Sequence, residues 1–455
     1  MELAGKMVLV AGMARSGLAA TRLLTRHGAT VTIYDQKNPQ ELEPEIKSVP
    51  PGVKTILGEH ESVITEMFDL VVTSPGIPLS NPLLEQSMEA GITVMSEIEL
   101  AFRLKPPGLH FLAITGTNGK TTTTALVADI LNKSGIPSAA AGNIGFPLAQ
   151  VVEELEQGMI VVECSSFQLE AISSFHPVAS GILNITPDHL DRHHTMENYV
   201  AIKSRIFMNQ SPDEYTILNH EDPLITEFRP GCKVRFFSTE TVLDRGVWIE
   251  DGKIIASLEG EREIICRLSE VKLRGRHNLE NILCAVGITR AVKIHPEAIR
   301  QGLVTFEGVR HRLQEVRTVN GVLYVNDSKG TNPDSTIKAL EAFTEPVILI
   351  AGGRNKGSDF NKLATLITQK VKALVLLGEA RSIIRQTVED RGFKDIVEVD
   401  SVEEAVAAAH RMAQPGEVVL LSPACASWDM FKDYEERGDL FCSAVMALEE
   451  DEVCV

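Results

Sequence analysis

The residues best able to do chemistry lie between 114 and 123, where ITGTNGKTTT carries an apolar strand into a glycine turn and out into a helix. This is the build of a phosphate cradle. Gly116 and Gly119 let backbone N–H groups turn toward an anion, and the helix N-terminus adds partial positive charge. Lys120 can reach terminal phosphates, and the Thr121 hydroxyl suits Mg²⁺. The strict GxxxxGK[ST] spacing is not met, because Ile114 stands where the first glycine belongs. An ordinary turn, however, gains nothing from Gly-Lys-Thr in this order.

Further polar groups cluster at other strand ends. In VVECSSFQLE (161–170) an apolar strand closes on Glu163. A buried carboxylate there must be paired or metal-bound. Metal binding is the preferred reading and an ion pair the alternative. DHLDRHH (188–194) sets His189 and His193 at a spacing that shares one helix face. The glutamate of HExxH is absent, so the phosphate loop upstream favours oxygen-rich magnesium ligation over zinc. Either histidine alone reads as a hydrogen-bonded structural residue, and Lys203, in MENYVAIKSRIF, reads by itself as a solvated helical lysine. Downstream, NDSKGTNPDS (326–335) packs Asp327, Lys329 and Thr331 into a turn after a strand. GGRNKGSDF (352–360) and SPACASWDMFKDYEERG (422–438) add Lys356, Ser427 and Tyr434. Single loops of this sort are often only turns, but three on one sheet edge make a site.

The elements that must position these groups are short β-branched runs alternating with longer helical patterns, the signature of βαβ units. The class is α/β. At the N-terminus a strand over 7–12, a helix over 16–27 stopped by Gly28 and a strand over 29–35 form one such unit around GMARSG (12–17). Gly12, Gly17 and Asp35 resemble a dinucleotide fingerprint, but Ala14 replaces the middle glycine that admits a pyrophosphate. A plain turn and a differently posed nucleotide such as UDP both remain open. After Pro106-Pro107-Gly108 the strand HFLAIT enters the phosphate loop, followed by a helix from Thr121 to about Ser134. Residues 235–275 read as an irregular, small peripheral sheet. A third βαβ set begins near Val309, with strands VLYVND, PVILIAGG, ALVLLG and GEVVLLSP and amphipathic stretches such as VEEAVAAAHRMA. The expected domains are therefore 1–106, 107–308 and 309–455.

Composition excludes several classes. The 455 residues, 44% hydrophobic and 23% charged, suit roughly three domains of about 150 residues. A net charge of −18 makes nucleic acid a poor partner, since phosphate backbones need clustered Lys and Arg. Seven cysteines without a close CxxC pair suggest neither a disulfide framework nor a zinc knuckle, and a reducing cytoplasm fits best. No signal peptide and no run of ~20 apolar residues is evident, so no membrane is expected. A nicotinamide oxidoreductase would explain only the first βαβ unit, and a non-catalytic nucleotide switch only the phosphate loop.

Taken together, SPGIP (74–78), SEIEL (96–100), TGTNGKTTT, GNIG (142–145), ECSSFQLE, DHLDRH, the Lys203 segment, GRHNLENILCA, HRLQ, NDSKGTN, GGRNKGSDF and LSPACASWDMF resemble the Mur ligase family from about residue 7 to residue 440. GTNGKTT marks the wider superfamily, which includes folylpolyglutamate synthases. The SSFQL, DHLDRH, NDSKxTN and SPACAS wording is narrower and points to the D-glutamate-adding branch. The resemblance implies an N-terminal Rossmann-like domain for UDP, a central P-loop-type ATPase and a C-terminal Rossmann-like domain for the amino acid. It implies ATP-dependent joining of D-glutamate to the alanyl carboxylate of UDP-N-acetylmuramoyl-L-alanine through an acyl phosphate, by a cytoplasmic monomer. Arg15, Ser16, Asp35, Lys37, Gly76 and Asn143 would face the UDP-sugar. Gly116, Thr117, Asn118, Gly119, Lys120, Thr121 and Thr122 would hold ATP phosphates, with Asn281, Arg312, Asp327 and Lys329 completing the nucleotide site. Thr121, Glu163, His189 and Lys203 would surround two Mg²⁺ ions, Lys203 being carbamylated, and Lys120 and Lys329 would share in catalysis. Thr331, Lys356, Ser427 and Tyr434 would hold D-glutamate. Gly330 stands where the family commonly has Ala, and Tyr434 where Phe is common.

Overall fold

The computed structural model describes residues 1–58, 67–273, 275–355 and 357–449, so the expected glutamate ligand Lys356 lies outside the described residues. Five parallel strands open the chain: β1 (Met7–Ala11), β2 (Thr30–Asp35), β3 (Lys54–Leu57), β4 (Leu70–Thr73) and β5 (Thr93–Ser96), in the order β3-β2-β1-β4-β5. Central β1 is apolar throughout and buries Val8, Leu9, Val10 and Ala11 completely, as a strand covered on both faces must. The helix Arg15–Arg26 returns over it. A Cβ on Gly17 would lie 1.8 Å from the Gly12 carbonyl oxygen, so only glycine permits this helix–strand approach. The expected first strand, helix and second strand are all present, each within a residue of its expected limits.

The second sheet has nine strands: β6 (Gly108–Thr115), β7 (Ser138–Gly142), β8 (Gln157–Glu163), β9 (Ala179–Ile182), β10 (Tyr215–Asn219), β11 (Lys233–Ser238), β12 (Gly246–Glu250), β13 (Lys253–Ser257) and β14 (Glu263–Arg267). Their order is β14-β13-β12-β11-β10-β9-β6-β8-β7. The β-rich stretch expected at the periphery is the edge of this same sheet. Parallel pairing of β11 with β12 joins it on, and β13 alone among the described strands runs against the rest, antiparallel to both β12 and β14. The sheet order reverses at β6, which pairs with β9 on one side and β8 on the other, so the loop after β6 opens at a switch point.

The third sheet contains β15 (Gln314–Val319), β16 (Val322–Asn326), β17 (Val347–Gly352), β18 (Val371–Leu377), β19 (Ile396–Glu398) and β20 (Val418–Leu421), ordered β15-β16-β20-β17-β18-β19. Only β15 is antiparallel to its neighbour. The amphipathic stretch after β19 forms the helix Val402–Met412, which buries Val402, Ala405, Val406 and Ala409 and is capped by Ser401 accepting from the Glu404 N–H at 3.1 Å. The first two sheets belong to one compact unit, Met1–Val271 with Glu280–Thr305, and the third to another, Lys272–Leu279 with Phe306–Val455.

Within the first unit the helix Glu97–Leu104 links the sheets. Its Glu99 is fully buried and accepts from the backbone N–H groups of Ser173, Ser174 and Phe175 at 2.8–3.0 Å and from Arg103 at 2.7 Å. Glu97 accepts from the Ala149 N–H, while its other oxygen has no partner.

Candidate active site

The loop after β6 is held from beneath by the segment after β9. The Thr117 N–H donates to the Asn184 carbonyl at 2.8 Å, the Asn118 N–H to Asn184 Oδ1 at 2.9 Å, and the Thr117 hydroxyl to the Thr186 carbonyl at 3.1 Å. Asn184 was not singled out from sequence. It sits directly ahead of the DHLDRH motif, and that adjacency is the signal that could have found it. Gly119 is left-handed, with φ +85°, and an added Cβ would meet Asn281 Oδ1 at 2.1 Å. Asn281 is thus brought against the loop, as expected. The helix Lys120–Lys133 that follows has no side-chain cap, so no capping side chain offsets the positive end of its dipole. Thr121 and Thr122 are buried in its first turn, and Lys120 folds back so that Nζ donates to the carbonyls of Gly116 and Thr117 at 3.0 and 2.8 Å. The arrangement is a nest for an anion, with a lysine ready to exchange carbonyl partners for phosphate oxygens.

Lys203 is not the solvated lysine its segment suggests. It is 1% exposed, donates to the Gly116 carbonyl at 2.8 Å and lies 4.5 Å above the Tyr199 ring. Burial, reinforced by Lys120, pushes its pKa well below the usual lysine range, against the pull of Asp188, Cys164 and Glu163. Glu163, at the end of β8, is 2% exposed. Its Oε1 accepts from Asn143 Nδ2 at 2.9 Å and its Oε2 has no partner at all. A buried carboxylate oxygen without a protein partner, beside a phosphate loop, has the chemistry of a cation ligand.

The histidines part company. His189 does not share a helix face with His193: it is left-handed, with φ 53°, and precedes the four-residue helix Leu190–His193. That conformation sets the His189 ring 4.7 Å from the Phe167 ring, where burial, with Lys120 and Lys203, lowers its pKa below the usual histidine value against the pull of Asp188 and Asp191. His193 is buried, and its Nε2 lies 2.9 Å from the Ser166 hydroxyl, a structural contact. Among the described residues no group of three His, Cys, Asp or Glu side chains could hold a metal by itself. The expected set of Thr121, Glu163, His189 and Lys203 contains only two such side chains, so an ion there needs the remaining oxygens from lysine modification, hydroxyl, water or phosphate.

In the first sheet, a cavity of about 370 Å³ opens beyond the carboxyl ends of β1 and β4. It brings together Arg15, Ser16, Asp35 and Gly76. Asp35 is fixed by the Met13 N–H at 2.8 Å and the Lys37 N–H at 3.0 Å. Lys37 and Asn143 are not part of its wall: Lys37 is exposed and Asn143 is turned to Glu163. Arg15 spans the rim, donating to the Gly145 carbonyl.

In the second unit, Asp327 is 1% exposed. It accepts from Ser422 Oγ at 2.7 Å and the Leu313 N–H at 3.3 Å, with Arg312 Nη1 at 3.8 Å. Burial lifts its pKa to about 6, partly offset by Arg312. Three non-glycine residues around it, His311, Leu313 and Ala424, are left-handed, at φ 62°, 43° and 60°. Such strain persists only where the surroundings over-determine it. Gly330 also fits this knot, since a Cβ there would lie 2.5 Å from Asp327 Oδ2. Lys329 Nζ lies 5.4 Å from the Tyr434 ring centroid, Thr331 follows in the same turn, and Ser427 is buried. Arg437, passed over in the sequence, ties these loops: it donates to Ser328 Oγ at 3.0 Å, to the Ser328 carbonyl at 2.8 Å and to the Cys425 carbonyl.

Three α/β sheets, a phosphate loop at a switch point and a neighbouring buried carboxylate with an unpartnered oxygen define a nucleotide-using enzyme, and the chain belongs to the Mur ligase family. Residues 6–96 match the MurD-like N-terminal domain of Mur ligases, 114–289 the Mur ligase middle domain and 311–425 the Mur ligase glutamate ligase domain. The chain is 48% identical to the UDP-N-acetylmuramoylalanine--D-glutamate ligase of Pelotomaculum thermopropionicum, covering 98% of each. It is 44% identical to the enzyme of that name from Clostridioides difficile, covering 97% of this chain and 98% of the relative. The solved structure of UDP-N-acetylmuramate-alanine ligase MurC from Thermotoga maritima shares the fold, with TM-score 0.60 and 18% identity over 97% of this chain and 99% of that one.

Proposed function

We propose that the chain joins D-glutamate to the alanyl carboxylate of UDP-N-acetylmuramoyl-L-alanine at the expense of ATP, a step in peptidoglycan precursor synthesis. The observation that carries the reading is the uncapped phosphate loop flanked by buried Lys203 and a half-satisfied Glu163. The near full-length relatives supply the choice of substrates.

A carboxylate resists attack by an amine because its carbonyl is a poor electrophile and oxide a poor leaving group. In the first step a carboxylate oxygen attacks the γ-phosphorus of ATP and ADP departs. The amine of glutamate then attacks the carbonyl carbon of the acyl phosphate, gives up a proton, and expels inorganic phosphate as the amide forms. Charge builds on oxygen in both steps, so Lys120 and the backbone of residues 116–122 would stabilise the transferring group, and the groups that bind each substrate would align the reactants. Mg²⁺, when bound, would neutralise phosphate charge and orient the γ-phosphoryl group. Thr121, Glu163, His189 and Lys203 would hold it, with room in the proposal for two ions. With its pKa lowered by burial, the Lys203 amine would attack carbon dioxide, forming a C–N bond and releasing a proton to give a carbamate. That replaces a cation with a carboxylate-like ligand.

The remaining assignments are proposals of the same kind. Arg15, Ser16, Asp35 and Gly76 would contact the UDP moiety, while Asn143 would position Glu163 and Lys37 would reach the ligand from outside the cavity. Asn281, Arg312, Asp327 and Lys329 would serve the nucleotide. Thr331, Lys356, Ser427 and Tyr434 would serve D-glutamate. Domain limits of 1–106, 107–308 and 309–455 and a monomeric state, measurable by analytical ultracentrifugation, complete the proposal. No helix among the described residues is long and apolar enough to cross a membrane. The deciding experiment supplies ATP, Mg²⁺, UDP-N-acetylmuramoyl-L-alanine and a panel of amino acids, and follows the amide by mass spectrometry. The reading requires amide, ADP and phosphate together with D-glutamate; no amide with any amino acid, or preference for another, overturns it.

A further inference from the structure

Arg192 takes no part in the chemistry above, yet every edge of its guanidinium is engaged. Nε donates to Glu170 Oε1 at 3.1 Å and Nη2 to the other Glu170 oxygen. Nη1 also donates to the Pro75 carbonyl at 2.7 Å, and Nη2 to the Ile77 carbonyl at 3.2 Å. The flat face lies 4.2 Å from the centroid of the Phe167 ring, and the side chains of Arg192 and Glu170 are only 12% and 10% exposed. A planar fork with five donors can meet two carbonyls, a carboxylate and a ring at once, whereas the point charge of a lysine cannot.

The two ends of this contact belong to different sites. Pro75 and Ile77, with Ser74 and Gly76, form the wall of the 370 Å³ cavity beyond β4. Phe167 and Glu170 lie on the segment that follows Glu163, where the Phe167 ring meets His189 and Glu170 Oε1 lies 3.4 Å from His193 Nδ1. The turn at the wall is otherwise braced by the Ile77 N–H donating to the Ser74 carbonyl at 3.0 Å. We propose that Arg192 is the positioning residue that ties the wall of the UDP-substrate cavity, and the His189 segment on which Arg192 itself sits, to the segment that follows Glu163. Seating the substrate and aligning its carboxylate at the phosphate loop then become one event. The inference rests on the functional reading above.

The test is R192K, which keeps the charge and removes the fork. R205K is the control, because Arg205 holds the same segment through the Leu169 and Ile172 carbonyls without reaching the cavity. Steady-state kinetics with each substrate varied should show R192K raising the KM for UDP-N-acetylmuramoyl-L-alanine about tenfold and lowering kcat, with the KM for ATP within about twofold of wild type. R205K should leave the ratio of those two KM values unchanged. An unchanged UDP-substrate KM in R192K, or an equal rise for ATP, overturns the inference. If R192K does not fold, E170Q is read by the same criteria. Absence of amide from the wild type would strike the functional reading, while a normal wild type with an unselective R192K strikes this inference alone.

Discussion

Lys203 in the first compact unit and Arg437 in the second are each 1% exposed, but they are provided for differently. Lys203 has one hydrogen bond, to a carbonyl, and a ring beneath it. Arg437 meets two carbonyls and a hydroxyl. The carboxylates divide the same way: Glu163 has an oxygen with no partner, whereas both oxygens of Asp327 are engaged. Burying a charge costs several kcal/mol unless it is compensated. Arg437 and Asp327 are compensated from within the protein and sit among loops held in strained positions. Lys203 and Glu163 leave valences open beside the phosphate loop, where a ligand would fill them. Burial alone therefore does not separate Lys203 and Glu163 from Arg437 and Asp327, but the count of protein partners does.

The sharpest way to break this contrast is to delete the under-satisfied group. Lys203→Ala should lower ligation at least ~10³-fold, as expected for loss of a transition-state contact, and a small carboxylate such as formate should restore part of the rate. Its thermal midpoint should fall little, because a poorly compensated amine adds little to stability. Wild-type activity, or a collapse in stability, would sink the contrast on this side. Arg437→Met should act in the opposite sense. It removes the charged donor to two buried carbonyls and a hydroxyl and should cost about 3 kcal/mol or more of stability in a denaturant titration. Full stability in that variant would mean the network is not structural.

Part of this was legible in the sequence, for a physical reason. The strand, turn and helix around GTNGKTT are local, and so are the β1 pattern and the loops after β16, β17 and β20. The burial of Lys203 is not local. Its partner Gly116 is 87 residues away, and the helix Met196–Ser204 carries no apolar stripe that would turn the lysine inward. His189 was misjudged because a four-residue spacing implies a shared face only inside a helix, and the backbone is left-handed there. Arg192 and Arg437 bond to backbone carbonyls, which have no sequence signature, and arginine is ordinarily a surface residue. SEIEL served only as a family word, yet its two glutamates are among the buried charges of the first unit.

Those two glutamates sharpen the comparison within a single helix turn. Burial pushes Glu99 up, but the N–H groups of Ser173, Ser174 and Phe175 and the Arg103 guanidinium more than cancel it, and its pKa ends below the usual carboxylate value. Glu97 has burial and only the Ala149 N–H to set against it, so its pKa rises from 4.5 to about 7. The sign follows from linkage. A carboxyl whose pKa is higher in the folded state binds its proton more tightly there, so folding is favoured at low pH and loses stability as pH climbs from about 4.5 to 7. Above that the penalty levels off at no more than about 3 kcal/mol. Glu97→Gln keeps the shape and removes the titration, so it should leave stability near wild type at pH 5 and raise it at pH 8. Glu99→Gln should do the reverse at pH 8, since it removes a carboxylate that four donors already satisfy. If both variants shifted stability in the same direction at pH 8, partner count would not be what distinguishes the two acids.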